Sequence, residues 1–332
     1  MQPLRDSRVH LAAVIPNWNG LHFLKPLFGD LQAQSTPFDD IVLADNGSTD
    51  QSVDWSKSQG VRIVALPENR GFASAVNAGV RATHEGSLVA ILNNDIRLPS
   101  GWLTHMLDGI GDASFAAGKI LSANSAGVLD ATWDALSRGA TALRCGSGRP
   151  DSRFWSQSCS APFLPFTAIL VRRDWFLSIG GLDEAFGSYL EDVDFGLRSA
   201  SEGHMGRYVA EAVCTHLGSG TLGRWNARTV HQIARNQVLL VSRHYSNDLI
   251  REFGWKIAVA QLLWGLVALR HGRGLSWLTG KWDGIRNFHR FRRAGSPSVG
   301  VILRESENEI RRIQSETGQE LYWRLYFALT WN

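Results

Sequence analysis

The chain has 332 residues, 44% of them hydrophobic and 20% charged, with a formal net charge of +3. This is enough apolar sequence for a substantial core in one large or two modest domains, and the small net charge gives no general case for nucleic-acid binding. The three cysteines, Cys145, Cys159 and Cys214, lack the spacing of a zinc site and the density of a disulfide scaffold, so we expect reduced thiols in the cytosol.

The first hundred residues predict four strands of a mostly parallel sheet. Apolar runs at 9–15, 41–44, 61–66 and 88–92 each end at a polar or glycine-containing turn, and segments of helix length separate them. The first run stops at Pro16 and Asn17, which does not fit an export signal. After the third run, Phe72, Val76 and Val80 share one face of a predicted helix. The alternation predicts β-α-β units.

The run at 88–92 is followed directly by Asn93, Asn94 and Asp95. Five apolar residues of this kind are typical of a buried parallel strand whose last residues emerge at the carboxyl edge of the sheet. Hard cations prefer carboxylate oxygen, so Asp95 is a candidate ligand for a divalent cation. The alternative is an aspartate that only caps a loop.

The carboxyl ends of the predicted parallel strands bring Asn17, Asp45, Arg70 and Asp95 to one crevice, where open α/β sheets bind ligands. Together they indicate a nucleotide site: a polar pair for the base and ribose, a cation and a helix start for the diphosphate, and a metal carboxylate. Each residue alone could serve a turn. A dinucleotide fold is disfavoured, because no Gly-x-Gly-x-x-Gly follows the first strand and no Walker lysine loop is present.

The middle of the chain predicts a second acidic cluster. Residues 113–161 have the composition of variable loops and a hairpin covering an active site. A strand is predicted at 163–171, a short helix at 174–179 and another strand at 207–213, which delivers His216 into a loop. Between them a helix begins at 191 with Glu191, Asp192 and Asp194 in its first turn, more acid than dipole compensation requires.

The residues after a predicted helix at 229–245 form a basic, aromatic-rich tail. Its apolar segment at 255–269 is shorter than the roughly 20 residues of a bilayer span. Aromatic side chains then alternate with basic ones, and between 251 and 293 nine basic residues face two acids. This composition favours helices lying in a membrane interface. The alternative is a helical hairpin packed on the catalytic part with solvated basic edges.

In order along the chain, these segments resemble the family 2 glycosyltransferases of the GT-A type, and most closely bacterial rhamnosyltransferase-type enzymes that act on lipid-linked or cell-wall glycans. The resemblance is carried by Pro16-Asn17-Trp18-Asn19-Gly20, Asp45-Asn46-Gly47-Ser48-Thr49-Asp50, Glu68-Asn69-Arg70-Gly71-Phe72-Ala73, Leu92-Asn93-Asn94-Asp95, Gly180-Gly181-Leu182-Asp183-Glu184, Glu191-Asp192-Val193-Asp194 and His216-Leu217-Gly218-Ser219-Gly220-Thr221. The Arg235-Asn236 pair is also similar.

The resemblance implies an α/β fold of GT-A type, with a Rossmann-like, mostly parallel central sheet and a C-terminal helical extension. The implied domains are a catalytic domain at 1–245, with a nucleotide-binding half at about 1–112 and an acceptor half at about 113–245, and a tail at 246–332. Two positions depart from the family pattern. Asn93 stands where the Asp-x-Asp motif often has its first acid, and Thr167-Ala168 replaces a common Gly-Ala beneath the sugar.

The resemblance also implies residue roles. Asp45 would bind a pyrimidine base, Arg70 the nucleotide or its phosphates, and Asp95 with His216 a divalent cation, Mg²⁺ or Mn²⁺. Asp192 would be the catalytic base, Glu191 would position the acceptor or the base, and Asp194 would be structural. The full set of candidate nucleotide-site residues is Pro16, Asn17, Asp45, Asn46, Arg70, Asn77, Asn93 and Asn94.

The chemistry of sugar transfer requires such groups. A divalent cation stabilises a departing diphosphate, and a carboxylate accepts the proton of an acceptor hydroxyl. The resemblance implies an inverting transferase using a dTDP- or UDP-linked sugar, with rhamnose favoured, and a glycan or polyprenyl-linked acceptor at the cytoplasmic face of the cell membrane. Two alternatives stay open: a non-catalytic nucleotide-sugar or glycan-binding protein, and a sugar nucleotidyltransferase, which the missing glycine-rich basic loop disfavours.

Overall fold

A computed structural model describes residues 9–218 and 225–330. Strands and helices alternate in the first half, as predicted. The strands are β1 Leu11–Asn17, β2 Asp40–Asp45, β3 Arg62–Ala65, β4 Leu88–Leu92, β5 Ile96–Arg97, β6 Phe115–Ser122, β7 Leu129–Ala131, β8 Asp134–Leu136, β9 Ala142–Arg144, β10 Cys159–Ala161, β11 Ala168–Arg172 and β12 Gly206–His216. The α-helices are α1 Leu21–Gln32, α2 Ser52–Ser58, α3 Phe72–Arg81, α4 Trp102–Ile110, α5 Arg173–Ser178, α6 Glu191–Ser201, α7 Ala227–His244, α8 Asn247–Arg270, α9 Gly274–Arg286, α10 Phe288–Phe291, α11 Val299–Thr317 and α12 Leu321–Leu329.

The central sheet has the strand order β10-β12-β6-β11-β4-β1-β2-β3. β4, β1, β2 and β3 run parallel, and β12 runs parallel to β6, whereas β11 is antiparallel to both β4 and β6. The predicted α/β fold with a mostly parallel central sheet is confirmed. The carboxyl ends of β1, β2 and β4 therefore lie at the same edge.

The predicted strand at 163–171 is wrong in its first half, because β11 begins only at Ala168. Pro165 lies in the irregular part and has no amide hydrogen to donate to a sheet ladder. β8 and β9 pair as a separate two-stranded hairpin, which confirms the hairpin expected within 113–161.

The C-terminal helices pack on the rest of the protein. One buried apolar cluster contains strand residues such as Val14 and Ile91 together with Val259, Ile310 and Trp323 from the C-terminal helices. The core thus extends across the predicted boundary at 245–246, and that division stays a prediction. α11 contacts the β8–β9 hairpin directly.

The apolar segment at 255–269 belongs to a longer helix, since α8 has 24 residues. By length and composition alone it could cross a membrane, with a mean hydropathy of 1.3 in its most apolar window, of which 39% is buried inside the protein. A core helix of a globular protein passes the same test, so this finding by itself is weak evidence for a span.

Candidate active site

A cavity of about 610 Å³ lies beyond the carboxyl ends of β1 and β4. Most of the candidate residues proposed from the sequence line it, although they come from segments far apart in the chain. They are Pro16, Asn17, Asn46, Asn93, Asn94, Asp95, Glu191, Asp192 and His216. The other three, Asp45, Arg70 and Asn77, lie outside its wall.

The side chains at the ends of β1, β2 and β4 form one wall of this cavity. We call Asn17, Asn46, Asn93, Asn94 and Asp95 the strand-end group. The Asn94 Nδ2 donates to Asn17 Oδ1 at 2.8 Å, and the backbone amide of Asn46 donates to the carbonyl of Asn17 at 2.8 Å. Asn93 Oδ1 is buried without a hydrogen-bond partner among the described residues. This wall is rich in amides and has one carboxylate.

Asp45 and Arg70 lie outside the cavity wall and form hydrogen bonds with members of the strand-end group. Asp45 is buried, its Oδ1 accepts from Asn17 Nδ2 at 3.2 Å, and its Oδ2 accepts from the backbone amide of Ser48 at 2.9 Å. The Arg70 side chain is exposed, and its backbone amide donates to Asn46 Oδ1 at 2.9 Å. A direct role of either side chain in nucleotide binding stays a prediction.

Two groups expected at the nucleotide have structural partners instead. Asn77 is buried on α3, where its Nδ2 donates to the carbonyl of Leu182 at 2.8 Å and its Oδ1 accepts from the Leu182 amide at 2.9 Å. The first amides of α3, expected to receive a diphosphate, donate to Ser188 Oγ and to the carbonyl of Gly187. The start of α3 is therefore closed by the loop that precedes α6.

His216 connects Asp95 to a second carboxylate. Its Nε2 lies 3.2 Å from Asp95 Oδ1, and its Nδ1 lies 2.9 Å from Asp130 Oδ2. Burial alone would lower the pKa of His216, but the hydrogen bonds to Asp130 and Asp95 outweigh it and raise the pKa to about 9. The segment Ser219-Gly220-Thr221 that follows lies outside the described residues.

The pair Asp95 and His216 suits a divalent cation. Their carboxylate oxygen and imidazole nitrogen already converge on one point in the cavity, and Asp130 fixes the orientation of the ring from its far side, as carboxylates do behind metal-bound histidines. Within residues 9–218 and 225–330, no three His, Cys, Asp or Glu side chains are arranged so that together they could hold a metal ion. Two side chains fit a cation that is bound mainly through substrate phosphates.

A strained loop presents Glu191 and Asp192 to the cavity. Tyr189 and Leu190, just before α6, have φ angles of +71° and +67°, in the left-handed region that side chains rarely adopt. The Nδ2 of buried Asn236 donates to three carbonyl groups of this loop, those of Phe186, Ser188 and Tyr189, at 2.7–3.0 Å. This clasp compensates for the strain and fixes the start of α6.

The carboxylates at the start of α6 share the cavity with the β8–β9 hairpin. We call Glu191, Asp192, Asp134 and Arg144 the helix–hairpin group. Arg144 Nε lies 3.8 Å from Asp134 Oδ1. Burial raises the pKa of Asp134 to about 7 against the opposing effect of Arg144. Burial also raises the pKa of Asp192, again opposed by Arg144, and it raises that of Glu191 well above its usual range, helped by the charge of Asp192.

Asp194 faces away from this group. It is buried and ion-paired with Arg198 at 2.8 Å and His244 at 2.8 Å. Although burial alone would raise the pKa of Asp194, these partners outweigh it and lower the pKa to about 2. The structural role expected for Asp194 is confirmed.

Several cavity residues were not predicted from the sequence. They are Asp130, Asp134 and Arg144 around the β8–β9 hairpin, Tyr189 before α6, Arg228, Gln232 and Gln237 on α7, and Trp264 on α8. Asp130, Asp134 and Arg144 could have been proposed, because they are charged residues within 113–161, the segment expected to cover an active site. The α7 and α8 residues carried no such signal, because helix periodicity does not indicate which neighbour a face meets.

This fold is that of the GT-A glycosyltransferases. The chain is similar to the structure of GalNAc-T7 with UDP, GalNAc and Mn²⁺, with a TM-score of 0.64 and 12% identity over 94% of this chain, and it spans 58% of that protein's length. It is also similar to the mannosyltransferase PcManGT from Pyrobaculum calidifontis, solved with GDP-Man and Mn²⁺, with a TM-score of 0.51 and 16% identity over 97% of this chain and 86% of that one.

Sequence comparison gives the family. Residues 12–176 match the model of Glycosyl transferase family 2, so the chain contains a domain of this family. It is also 26% identical over 258 residues to an N-acetylglucosaminyl-diphospho-decaprenol L-rhamnosyltransferase of Mycobacterium tuberculosis, covering 69% of this chain and 81% of that protein. The resemblance to rhamnosyltransferase-like members of family 2 is thereby confirmed.

Proposed function

We propose that the protein is an inverting glycosyltransferase that moves a sugar, with a rhamnose-like sugar favoured, from a nucleoside diphosphate to a hydroxyl of a lipid-linked or cell-envelope glycan. The observation that carries the proposal is that Asp95 and Asp192, 97 positions apart by their residue numbers, line the same cavity. A leaving diphosphate and an acceptor hydroxyl need charged groups of these two kinds within one site.

Asp192 is the catalytic base in this proposal, and Glu191 is its protonated neighbour. The two carboxyl groups interact, and burial with the charge of Asp192 keeps the pKa of Glu191 high. Arg144 acts more strongly on Asp192, where it is the main influence opposing burial. The negative charge therefore resides on Asp192 and the proton on Glu191. A carboxylate with a raised pKa accepts a proton more readily than an exposed one at neutral pH.

Asp95 and His216 would hold Mg²⁺ or Mn²⁺ in this enzyme. The bound cation would neutralise the charge that develops on the departing diphosphate. Metal ligands are deprotonated, so binding would displace the proton that His216 shares with Asp95 and Asp130. The strand-end amides would contact the nucleotide and sugar. The Mn²⁺ in the two similar structures supports the choice of cation.

The substrates are proposed from the names of similar proteins. The mycobacterial relative is named for a lipid-linked acceptor and an L-rhamnosyl group, which supports a polyprenyl-linked glycan as the acceptor and a rhamnose-like sugar as the transferred group. We further propose that the donor is dTDP- or UDP-linked and that the reaction takes place at the cytoplasmic face of the cell membrane.

The first test measures which nucleotide sugars protect the protein against thermal unfolding, with and without Mn²⁺. Ligand at 100 times its Kd stabilises the folded state by about 2.7 kcal/mol. We expect protection by a dTDP- or UDP-sugar, increased by Mn²⁺. Absence of protection by any pyrimidine nucleotide sugar would contradict the proposal.

The second test is transfer of the protecting sugar to a short-chain polyprenyl diphosphate glycan, followed by analysis of the anomeric configuration. We expect an inverted product. Protection without transfer to this or any other glycan would favour the non-catalytic binding protein instead.

A further inference from the structure

Helices α8 and α9 bury lysine side chains against the protein and leave large apolar side chains exposed. Between residues 253 and 269 of α8, the side chains with ordinary polar groups are Lys256 and Gln261. Lys256 is buried, and its Nζ donates to the carbonyl of Thr330 at 2.6 Å; Gln261 Nε2 donates to the carbonyl of Gly139 at 2.7 Å. The inward face also buries apolar side chains such as Phe253, so this part of α8 is apolar on both faces, unlike an amphipathic helix in water.

The outward face of α8 is a continuous apolar stripe. Trp255, Leu262, Leu266 and Leu269 are 60–64% exposed, and their spacing of seven, four and three residues places them on one side of the helix. At the end of the stripe Trp255 Nε1 donates to the carbonyl of Leu329. The only charged residues exposed on α8 lie at its two ends, outside 253–269.

α9 likewise combines exposed apolar side chains with a buried lysine. Leu275, Leu278, Trp282 and Ile285 are 56–76% exposed. Lys281 is buried and donates to the carbonyl of Ala234 and to the side chains of Gln237 and Gln261. Burial lowers the pKa of Lys281 to about 7. The expectation that basic residues of the tail face solvent or lipid headgroups is therefore wrong for Lys256 and Lys281.

The inward faces explain why these helices cannot simply rotate. On α9, a side chain at Gly280 or Gly284 would overlap the backbone or side chains of α7, so the two helices are in close contact. Rotating α9 so that Lys281 faced solvent would break this close packing against α7. Exposed apolar patches of this extent mark a surface that contacts another apolar phase.

The arginines that remain exposed lie at the ends of the two helices. Arg270 is the last residue of α8 and Arg273 follows it, and Arg286, Arg290 and Arg293 lie at or after the end of α9. Asp283 is the only acid between residues 253 and 298, and it pairs with Arg235 at 3.4 Å. An apolar face with a basic margin is complementary to a bilayer surface that contains anionic headgroups.

We propose that the outward faces of α8 and α9 form a docking surface for an anionic bilayer, in which the apolar stripes enter the headgroup–acyl boundary and the arginines contact the headgroups. Helices α8 and α9 lie in the interface and do not cross the bilayer, because Lys256, Gln261 and Lys281 on their opposite side bind the rest of the protein. Trp264 of α8 lines the catalytic cavity, so docking brings the cavity next to the surface that carries a lipid-linked acceptor. The docking itself requires no assumption about the reaction.

Vesicle flotation tests this surface on the full chain. The probes are vesicles of phosphatidylcholine alone and of phosphatidylcholine with phosphatidylglycerol. The test variant is Leu266→Gln/Trp282→Gln, which alters two outward side chains without adding charge. The control is Val9→Gln/Met205→Gln, two apolar side chains that are 48% and 40% exposed just before β1 and β12, away from the carboxyl ends that form the cavity.

We expect the wild type and the control to float with phosphatidylglycerol vesicles, less in 1 M salt, where charges are screened. The test variant should partition at least about tenfold less, since each buried methylene contributes to interfacial binding. Equal flotation of the two double variants would overturn the proposal. Failure of the wild-type protein to bind vesicles would also overturn it, and so would binding that survives alkaline carbonate, as that of a spanning protein does. A third contradictory result is a wild-type dimer in solution that is absent in the test variant and present in the control, because the apolar faces would then contact a second copy of the chain.

These outcomes are separate from those of the proposed function. Flotation needs no donor, and transfer to a short-chain acceptor in solution needs no vesicle. The test variant should keep its activity on the soluble acceptor and lose activity on an acceptor embedded in vesicles.

Discussion

The strand-end group and the helix–hairpin group line one cavity, but they differ in charge and in how the chain builds them. The strand-end group is made of amides with the single carboxylate Asp95, and hydrogen bonds hold the side chains of Asn17 and Asn46 in place. The helix–hairpin group concentrates three carboxyl groups around Arg144, and the pKa of each carboxyl group is raised. The first suits binding of a neutral base and sugar, and the second suits movement of a proton.

The largest effect should come from Asp192→Asn. The amide keeps the shape of the side chain but cannot accept a proton, so we expect kcat to fall by about 10²- to 10⁴-fold. Donor binding, measured by thermal protection, should persist because the strand-end group is intact. The matched control is Asp54→Asn on α2, whose side chain is 85% exposed. Near-normal turnover in folded Asp192→Asn protein would remove Asp192 from the role of base.

Asn236→Ala removes the hydrogen bonds that fix the loop before α6, without altering a residue of the helix–hairpin group itself. This change leaves three loop carbonyls without their donor next to two left-handed residues, so we expect a loss of about 2–4 kcal/mol in the free energy of unfolding. Denaturant titration measures this loss. Since Glu191 and Asp192 follow the loop, kcat should fall more than donor affinity. Asn287→Ala, which removes bonds only within the α9–α10 turn, is the control.

An equal loss of kcat and donor affinity in Asn236→Ala protein would contradict this prediction. The hydrogen bonds of Asn236 would then stabilise the protein as a whole and not the start of α6 in particular.

The strand-end group could be predicted because its positions depend on local pattern. A buried strand ends where the apolar run ends, and parallel strands end at one edge, so Asn17 and Asp95 were found without long-range information, whereas Asn46 came from the family resemblance. Asn77 shows the limit of that resemblance. It was assigned to the nucleotide, but both its amide nitrogen and its amide oxygen bond to the backbone of Leu182, over 100 residues away.

The helix–hairpin group depends on contacts that no local pattern specifies. The β8–β9 hairpin is held by α11, where buried Glu307 accepts from Arg138 and Tyr326, and Ser306 accepts from the amide of Leu136. The bonds of Ser306 and Glu307 to the hairpin join segments about 170 residues apart, and they place Asp134 and Arg144 in the cavity. The exposed apolar faces of α8 and α9 were unpredictable for the same reason: periodicity shows that a helix has two faces but not which one is covered.

The comparison between the two groups also predicts how the cation site responds to its second carboxylate. Asp130 bonds to the ring nitrogen of His216 that faces away from Asp95, so Asp130→Asn should weaken the orientation of the ring. We expect the Mn²⁺ concentration that gives half-maximal donor protection to rise about 10- to 100-fold. Asp248→Asn, an exposed change on α8, should leave it unaltered. An unchanged Mn²⁺ requirement in Asp130→Asn protein would contradict the proposed role of Asp130 in orienting His216 for the cation.

The smallest predicted effect isolates the charge of Arg144. Glu191 and Asp134 face Asp192 as further carboxyl groups, and Arg144 is the cation that lowers the pKa of Asp192 against burial. In Arg144→Gln protein that pKa rises, so a higher pH is needed to ionise the base, and the acid limb of the kcat/KM profile moves to higher pH. Activity on the alkaline side, where Asp192 is ionised in either protein, changes less. Arg144→Lys keeps a positive charge and should keep the acid limb near its wild-type position. If the glutamine and lysine variants shift alike, Arg144 acts through its shape and hydrogen bonds, and the acidity of the helix–hairpin group is set by burial alone.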